Sequence, residues 1–160
     1  MDFNLKKATV EEKATIGNMM QFYFYDFSGF INIDVEENGF FAKYDYIDSY
    51  WEEESRYPYL IEIDGKYAGF ALVRFIEEED RSYFSIAEFF IMKKYRRSGL
   101  GKEVASAIFD THRGQWEVFQ IVPNKAAQEF WVKVIFEYTN GNYTDRLEEG
   151  KRFQEFTNFK

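Results

Sequence analysis

Apolar positions along the chain change period several times, and each change marks an element. Phe3 to Ala8 reads as a short first strand. Ile16, Met19, Met20, Tyr23 and Phe27 then recur at helical spacing. Thr9, followed by Glu11 and Glu12, suits the positive end of that helix. Gly29 to Ala42 has no period and reads as a loop. A second short helix is predicted around Tyr44 to Glu54, with Ile47, Tyr50, Trp51 and Glu54 on one stripe. Pro58 to Ile63 and Lys66 to Ile76 are strands joined by Asp64-Gly65, a pair that favours the positive φ of a two-residue hairpin turn. After the exposed turn Glu77 to Asp80, Ser82 to Lys93 is a long strand. Leu100, Val104, Ala107, Ile108 and Thr111 return to a period of about 3.6 residues, with Gly114 as the stop. Trp116 to Val122 is a strand, and a helix runs from Asn124 to about Ile135. The tail, Tyr138 to Arg146 and Lys151 to Phe159, reads as two final strands.

The order predicts an α/β fold: a mixed, mostly antiparallel sheet of about seven strands flanked by about four helices. A strand, a crossover helix and a following strand imply a parallel pair at the centre. No linker, repeat or low-complexity segment interrupts the 160 residues, so one domain over 1–160 is expected.

Composition narrows the chemistry. Hydrophobic residues make up 46%, which suits a packed core rather than a disordered chain. The 19 Phe and 12 Tyr point to a core built from rings, with a ring-lined pocket or a homodimer face as the other use for them. There is no Cys, which excludes disulfides, thiolate metal sites and a Cys nucleophile, and suits a cytoplasmic setting. One His, His112, cannot form a metal cluster, so no metal is expected. It stands at the end of the third helix, where a surface position against the helix dipole is expected. The net charge of −8 argues against nucleic acid and favours a cationic partner, solubility being the plainer account. No run of about 18 apolar residues could span a membrane, and no secretory h-region opens the chain.

The chemically informative stretch is Tyr95-Arg96-Arg97-Ser98-Gly99-Leu100-Gly101-Lys102, at the turn from the long strand into the amphipathic helix. Glycines let main-chain amides approach an anion, the helix N-terminus supplies partial positive charge, and Arg96, Arg97 and Lys102 add full charges. A pyrophosphate suits such a turn. The dinucleotide fingerprint fails because Val104 stands where its third Gly belongs. The P-loop fails because Glu103 follows Gly101-Lys102.

From Phe89 to Gly101 the sequence resembles the motif A region of GNAT acyltransferases: an apolar strand, a short linker, then Arg-x-x-Gly-x-Gly and a helix, with Arg96, Gly99 and Gly101 at the defining positions. The strand Phe119 to Val122 followed by Asn124, Ala127, Phe130 and Trp131 is similar to the family's next segment. The resemblance implies acetyl-CoA as co-substrate. Backbone groups of Phe89, Phe90 and Ile91 would pair with the pantetheine arm in a splay between the two central strands. Amides from Arg97, Ser98, Gly99, Leu100, Gly101 and Lys102 would hold the pyrophosphate, and Asn124 would touch the cofactor. It also implies direct attack of a primary amine, from a small molecule or a peptide, on the thioester.

Glu88, on the long strand among rings, is the candidate base, since desolvation would raise its pKa into a useful range. A strand-end carboxylate in a salt bridge or in solvent is the alternative. Trp131 occupies the position where the family often has an acidic Tyr; Tyr138 or a water is the candidate substitute as leaving-group acid, with unassisted departure of the thiolate as the other route. The acidic group Asp45, Asp48, Glu52, Glu53 and Glu54 lies where the family builds its acceptor side, and would receive a polyamine, a lysine or an aminoglycoside if it is more than a solvated face. Two other functions compete: a non-catalytic acyl-CoA sensor or interaction module, motivated by Trp131, and a ligand-binding domain with an aromatic cavity and no cofactor.

Overall fold

The computed structural model describes residues 2–159; Met1 and Lys160, the ends of the expected domain, lie outside them. Seven strands form one sheet: β1 (Asn4–Lys7), β2 (Arg56–Ile63), β3 (Lys66–Glu77), β4 (Ser82–Ile91), β5 (Gln115–Ile121), β6 (Thr144–Glu148) and β7 (Lys151–Thr157). Their order across the sheet is β1-β2-β3-β4-β5-β7-β6. The helices are α1 (Lys13–Phe27), α2 (Ser49–Glu52), α3 (Leu100–Thr111) and α4 (Lys125–Thr139). All neighbouring strands are antiparallel except β4 and β5, joined by the α3 crossover. The expected mixed sheet with its central parallel pair is therefore present. Among the described residues, no helix is long and apolar enough to cross a membrane.

The alternation of side chains along the strands splits the core in two. Leu60, Phe70 and Leu72 pack with Ile16 and Met20 of α1. Their sequence neighbours Ile61, Ala71 and Val73 pack on the other face with Val104, Ile108 and Val134 of α3 and α4. The hairpin turn is as predicted, with φ +51° at Asp64 and +74° at Gly65. At the start of the first helix the Glu12 carboxylate accepts from the N–H and hydroxyl of Thr9, at 3.0 and 3.2 Å.

Two expectations about elements are corrected. The second helix covers only Ser49–Glu52; Ile47 is buried ahead of it, within a turn. The segment from Tyr138 onward does not open a strand. Helix α4 continues to Thr139 and stops at Asn140 and Gly141, which take φ of +54° and +82°. An Asn-Gly pair in left-handed conformation is a common helix ending, because both residues tolerate positive φ.

One irregularity in β4 positions the site. Leu72 pairs with Glu88 and Val73 pairs with Ile86, so Ala87 is an extra residue, a β-bulge. A strict two-residue period would put Glu88 on the same face as Ile86, under α3. The bulge inverts the alternation, and Glu88 and Phe90 emerge on the face covered by α1.

Candidate active site

Strands β4 and β5 share one pair among the described residues, Phe84 opposite Trp116, and then diverge. Beyond it the edges of β4 and β5 that face each other carry no ladder. Ile86 to Ile91 and Val118 to Ile121 instead line a cavity of about 990 Å³ that passes between the two strands. The splay anticipated from the resemblance is thus present.

The cavity has two chemically different ends. On the α3–α4 face lie Arg97, Gly99, Gly101 and Lys102, with Asn124, Ala127, Phe130 and Lys133 of the α4 side. Positive φ at Arg97 (+61°) and Gly99 (+85°) turns the chain sharply from the strand into α3. The first α-helical bond there is Glu103 N–H to Gly99 C=O, at 3.2 Å. The amides of Leu100, Gly101 and Lys102 precede it and point out of the helix N-terminus. Gly101 has a separate, steric reason: a Cβ there would meet Phe130 at 3.0 Å. The glycine lets α3 and the ring of α4 close on each other beside the turn.

The basic residues of this turn divide into two groups. Arg96 does not face the cation-lined end: its Nε–H donates to the Ile91 carbonyl (2.8 Å), and its Nη2 bonds Asp26 of α1 (2.6 Å). It clamps the strand end to α1, while Arg97 and Lys102 stand at the cavity mouth. Lys102 also pairs with Glu137 of α4 at 2.5 Å, which holds the Glu137 carboxyl below its usual range. Ser98 turns its hydroxyl back to the Tyr95 carbonyl (2.6 Å), and the Leu100 side chain is fully buried, so neither side chain lines the cavity. The carboxamide oxygen of Asn124 accepts from Ala127 N–H at 3.1 Å and caps α4 while lining the cavity.

On the α1 face lie Tyr23, Phe27 and Phe30, with Phe119 of β5 and the carboxyl of Glu88. Burial pushes Glu88 up to about 7, against a smaller downward pull from the neighbouring Tyr23 phenol. Burial and then the Glu88 charge push Tyr23 well up, so that phenol stays protonated. Tyr44 is raised by the same two causes in the same order. Phe89 and Phe90, neighbours in sequence, go to opposite faces: Phe89 packs on Trp131 (5.0 Å between centroids) and Phe90 on Tyr23 (6.0 Å).

Three sequence expectations are corrected here. Tyr138 lies outside the cavity near the end of α4, where its hydroxyl donates to Asp110 (2.8 Å) and accepts from Asn158 (3.2 Å). The acidic group does not line the cavity either: Asp48 pairs with Lys13 and Glu53 with Arg56. His112 is buried rather than at the surface, sharing a 2.7 Å hydrogen bond with the Tyr59 hydroxyl among Tyr57, Phe84 and Trp116. Burial pulls its imidazole down to about 4, with Lys7 adding to the effect. Sequence reasoning missed Tyr23, the direct partner of Glu88; it stood in the helical stripe and read as core.

The model of the acetyltransferase (GNAT) family matches residues 21–135. No curated protein matches the sequence. Solved structures do match over nearly the whole chain. The acetyltransferase from Thermus thermophilus is 13% identical with a TM-score of 0.67, covering 98% of this chain and 97% of its own. The GNAT-family acetyltransferase from Streptococcus agalactiae is 15% identical with a TM-score of 0.66, covering 99% and 96%. The PaiA N-acetyltransferase from Thermoplasma acidophilum, solved in complex with coenzyme A, is 12% identical with a TM-score of 0.63, covering 99% and 100%. At such identities the likeness concerns the fold.

Proposed function

The chain belongs to the acetyltransferase (GNAT) family, and from that premise we propose that it transfers the acetyl group of acetyl-CoA to a primary amine by direct attack. The observation that carries this reading is the position of Glu88. It is a half-buried carboxyl near neutral pKa, facing a gap between β4 and β5 that opens at its other end onto the amides of α3.

The residues present fit acetyl-CoA. The first-turn amides of α3, with Arg97 and Lys102, would hold the pyrophosphate. The unpaired edges of β4 and β5 would take the pantetheine amides as an added strand takes its neighbours. Acetyl-CoA supplies the activated thioester carbonyl. Glu88 removes a proton from the incoming ammonium, and the freed nitrogen forms the new C–N bond. A main-chain N–H on the open edge of β4 stands to stabilise the charge that develops on the carbonyl oxygen. The C–S bond breaks, and the sulfur takes up the second proton of the nitrogen, so no separate phenolic acid is required. Trp131 then serves as packing between Phe89, Phe130 and Phe109.

Calorimetric titration with CoA and acetyl-CoA, followed by free-thiol release across a panel of amines, tests the proposal. Saturable binding at one site and amine-dependent thiol release are expected. Binding without release above hydrolysis, for every amine in the panel, favours the sensor reading instead. Absence of binding removes both and leaves a ligand-binding domain.

A further inference from the structure

We infer that the acceptor is a primary monoamine on an apolar body, and not a polyamine. The inference rests on the proposed acetyl transfer and specifies its substrate. Three carboxylates line the cavity, and two are already neutralised: Asp26 by Arg96 and Glu137 by Lys102. Glu88 forms no ion pair among the described residues; its neighbour in the cavity is the neutral phenol of Tyr23. The cavity therefore offers one negative group without an ion-pair partner to one ammonium.

Around that group the α1 end is made of rings: Phe27, Phe30 and Phe119, with Tyr23 beside them. Phe30 and Phe119 remain 39% and 38% exposed, so their faces are available to a guest. An apolar body leaving water gains from covering them, whereas a second ammonium there would be desolvated without a partner. The sheet beyond Phe119 offers no relief. Glu117 and Glu155 are both bound by Arg81 and Arg146, and Glu148 is bound by Arg146. Lys151 Nζ stands 4.8 Å from the Phe119 ring centre, and Arg146 lies over Phe153 at 4.6 Å. Along β7 and β6 the carboxylates are thus already held by arginines, and none is left unpaired to receive the distal charge of a polyamine.

The test titrates phenethylamine, putrescine and spermidine into the full-length protein saturated with CoA at pH 8, by calorimetry. Phenethylamine is expected to bind at least about tenfold more tightly than either polyamine. Equal or tighter binding of spermidine or putrescine overturns the inference, as does the lack of detectable phenethylamine binding. A Phe119→Glu variant, checked for folding by circular dichroism, is expected to lose that preference or reverse it. An unchanged preference in the variant equally sinks the role of this ring. CoA affinity and acetyl-product formation are read separately. If CoA does not bind, the amines are titrated into the free protein, and the same ranking decides. Ring-amine binding without product overturns the acetyl-transfer reading and leaves the acceptor chemistry standing.

Discussion

The Tyr23 phenol of α1 stands beside the Glu88 carboxyl of β4 in the cavity, next to the strand bulge. The phenol lowers the pKa that burial raises, so it keeps Glu88 ionised over more of the neutral range. In Tyr23→Phe the acidic limb of kcat/KM is expected to move to higher pH. A pH–rate profile that coincides with that of the parent would remove this coupling.

Glu88→Gln separates the two consequences of a buried acid. In the parent, kcat/KM is expected to fall about tenfold per pH unit below about 7, as the base is protonated. The variant should lose turnover by about 100-fold or more at pH 8 while keeping CoA affinity. Stability should move the other way. A carboxyl raised from 4.5 to about 7 makes the folded state bind protons more tightly than the unfolded one. Its stability contribution is full below about 4.5, declines as pH rises towards 7, and stays lost above. Glu88→Gln is therefore expected to be more stable than the parent at pH 8, by about 1–3 kcal/mol, with the gain vanishing near pH 4. Urea titrations at the two pH values check it.

Gly99 and Gly101 should fail for different reasons. Gly99 has φ of +85° and open space around a Cβ, so Gly99→Ala should cost about 1 kcal/mol in backbone strain with no steric clash. Gly99→Glu places a carboxylate at the anion end and is expected to abolish CoA binding. Gly101→Val drives side-chain atoms into Phe130, which a Cβ alone would meet at 3.0 Å. A Phe130→Ala partner substitution is expected to restore part of the lost stability, measured by a thermal double-mutant cycle.

Tyr138→Phe should leave turnover within about twofold of the parent while removing the hydrogen bonds to Asp110 and Asn158, at about 1 kcal/mol of stability. A loss of kcat with unchanged CoA affinity would return Tyr138 to the mechanism, against its position outside the cavity.

His112 makes the protein sensitive to acid. Its folded pKa of about 4 lies below the ordinary 6.5, so stability should fall as pH drops from about 6.5 to 4. Lys7 is the charged neighbour that adds to the effect, and Tyr57, Tyr59, Phe84 and Trp116 enclose the ring. NMR titration of the imidazole should give a midpoint near 4, and His112→Gln should flatten the thermal-stability profile over that window.

Much of the fold is written in local periods. Alternation marks the strands, helical spacing marks α1, α3 and α4, and Asp64-Gly65 marks its own turn because positive φ is a property of those two residues. The turn at Arg97 to Lys102 was legible for the same reason: glycines and cations at a strand-to-helix junction act locally. What escaped depends on distant parts of the chain. Tyr23 and Glu88 are brought together by the packing of α1 on β4 and by an extra residue, Ala87, that no period announces. The burial of His112 follows from rings on β2, β4 and β5. The misplaced Tyr138 had a local signal, since Asn140-Gly141 marks the end of a helix two residues later.

The rung between Phe84 and Trp116 divides the sheet into two sets of strands. Four strands on one side and three on the other form separate ladders, and below that rung no backbone pairing among the described residues stitches them together. A guest whose own amides lie along the slit supplies rungs to both margins at once. Such an occupant would close the backbone seam that the two sets of strands leave open.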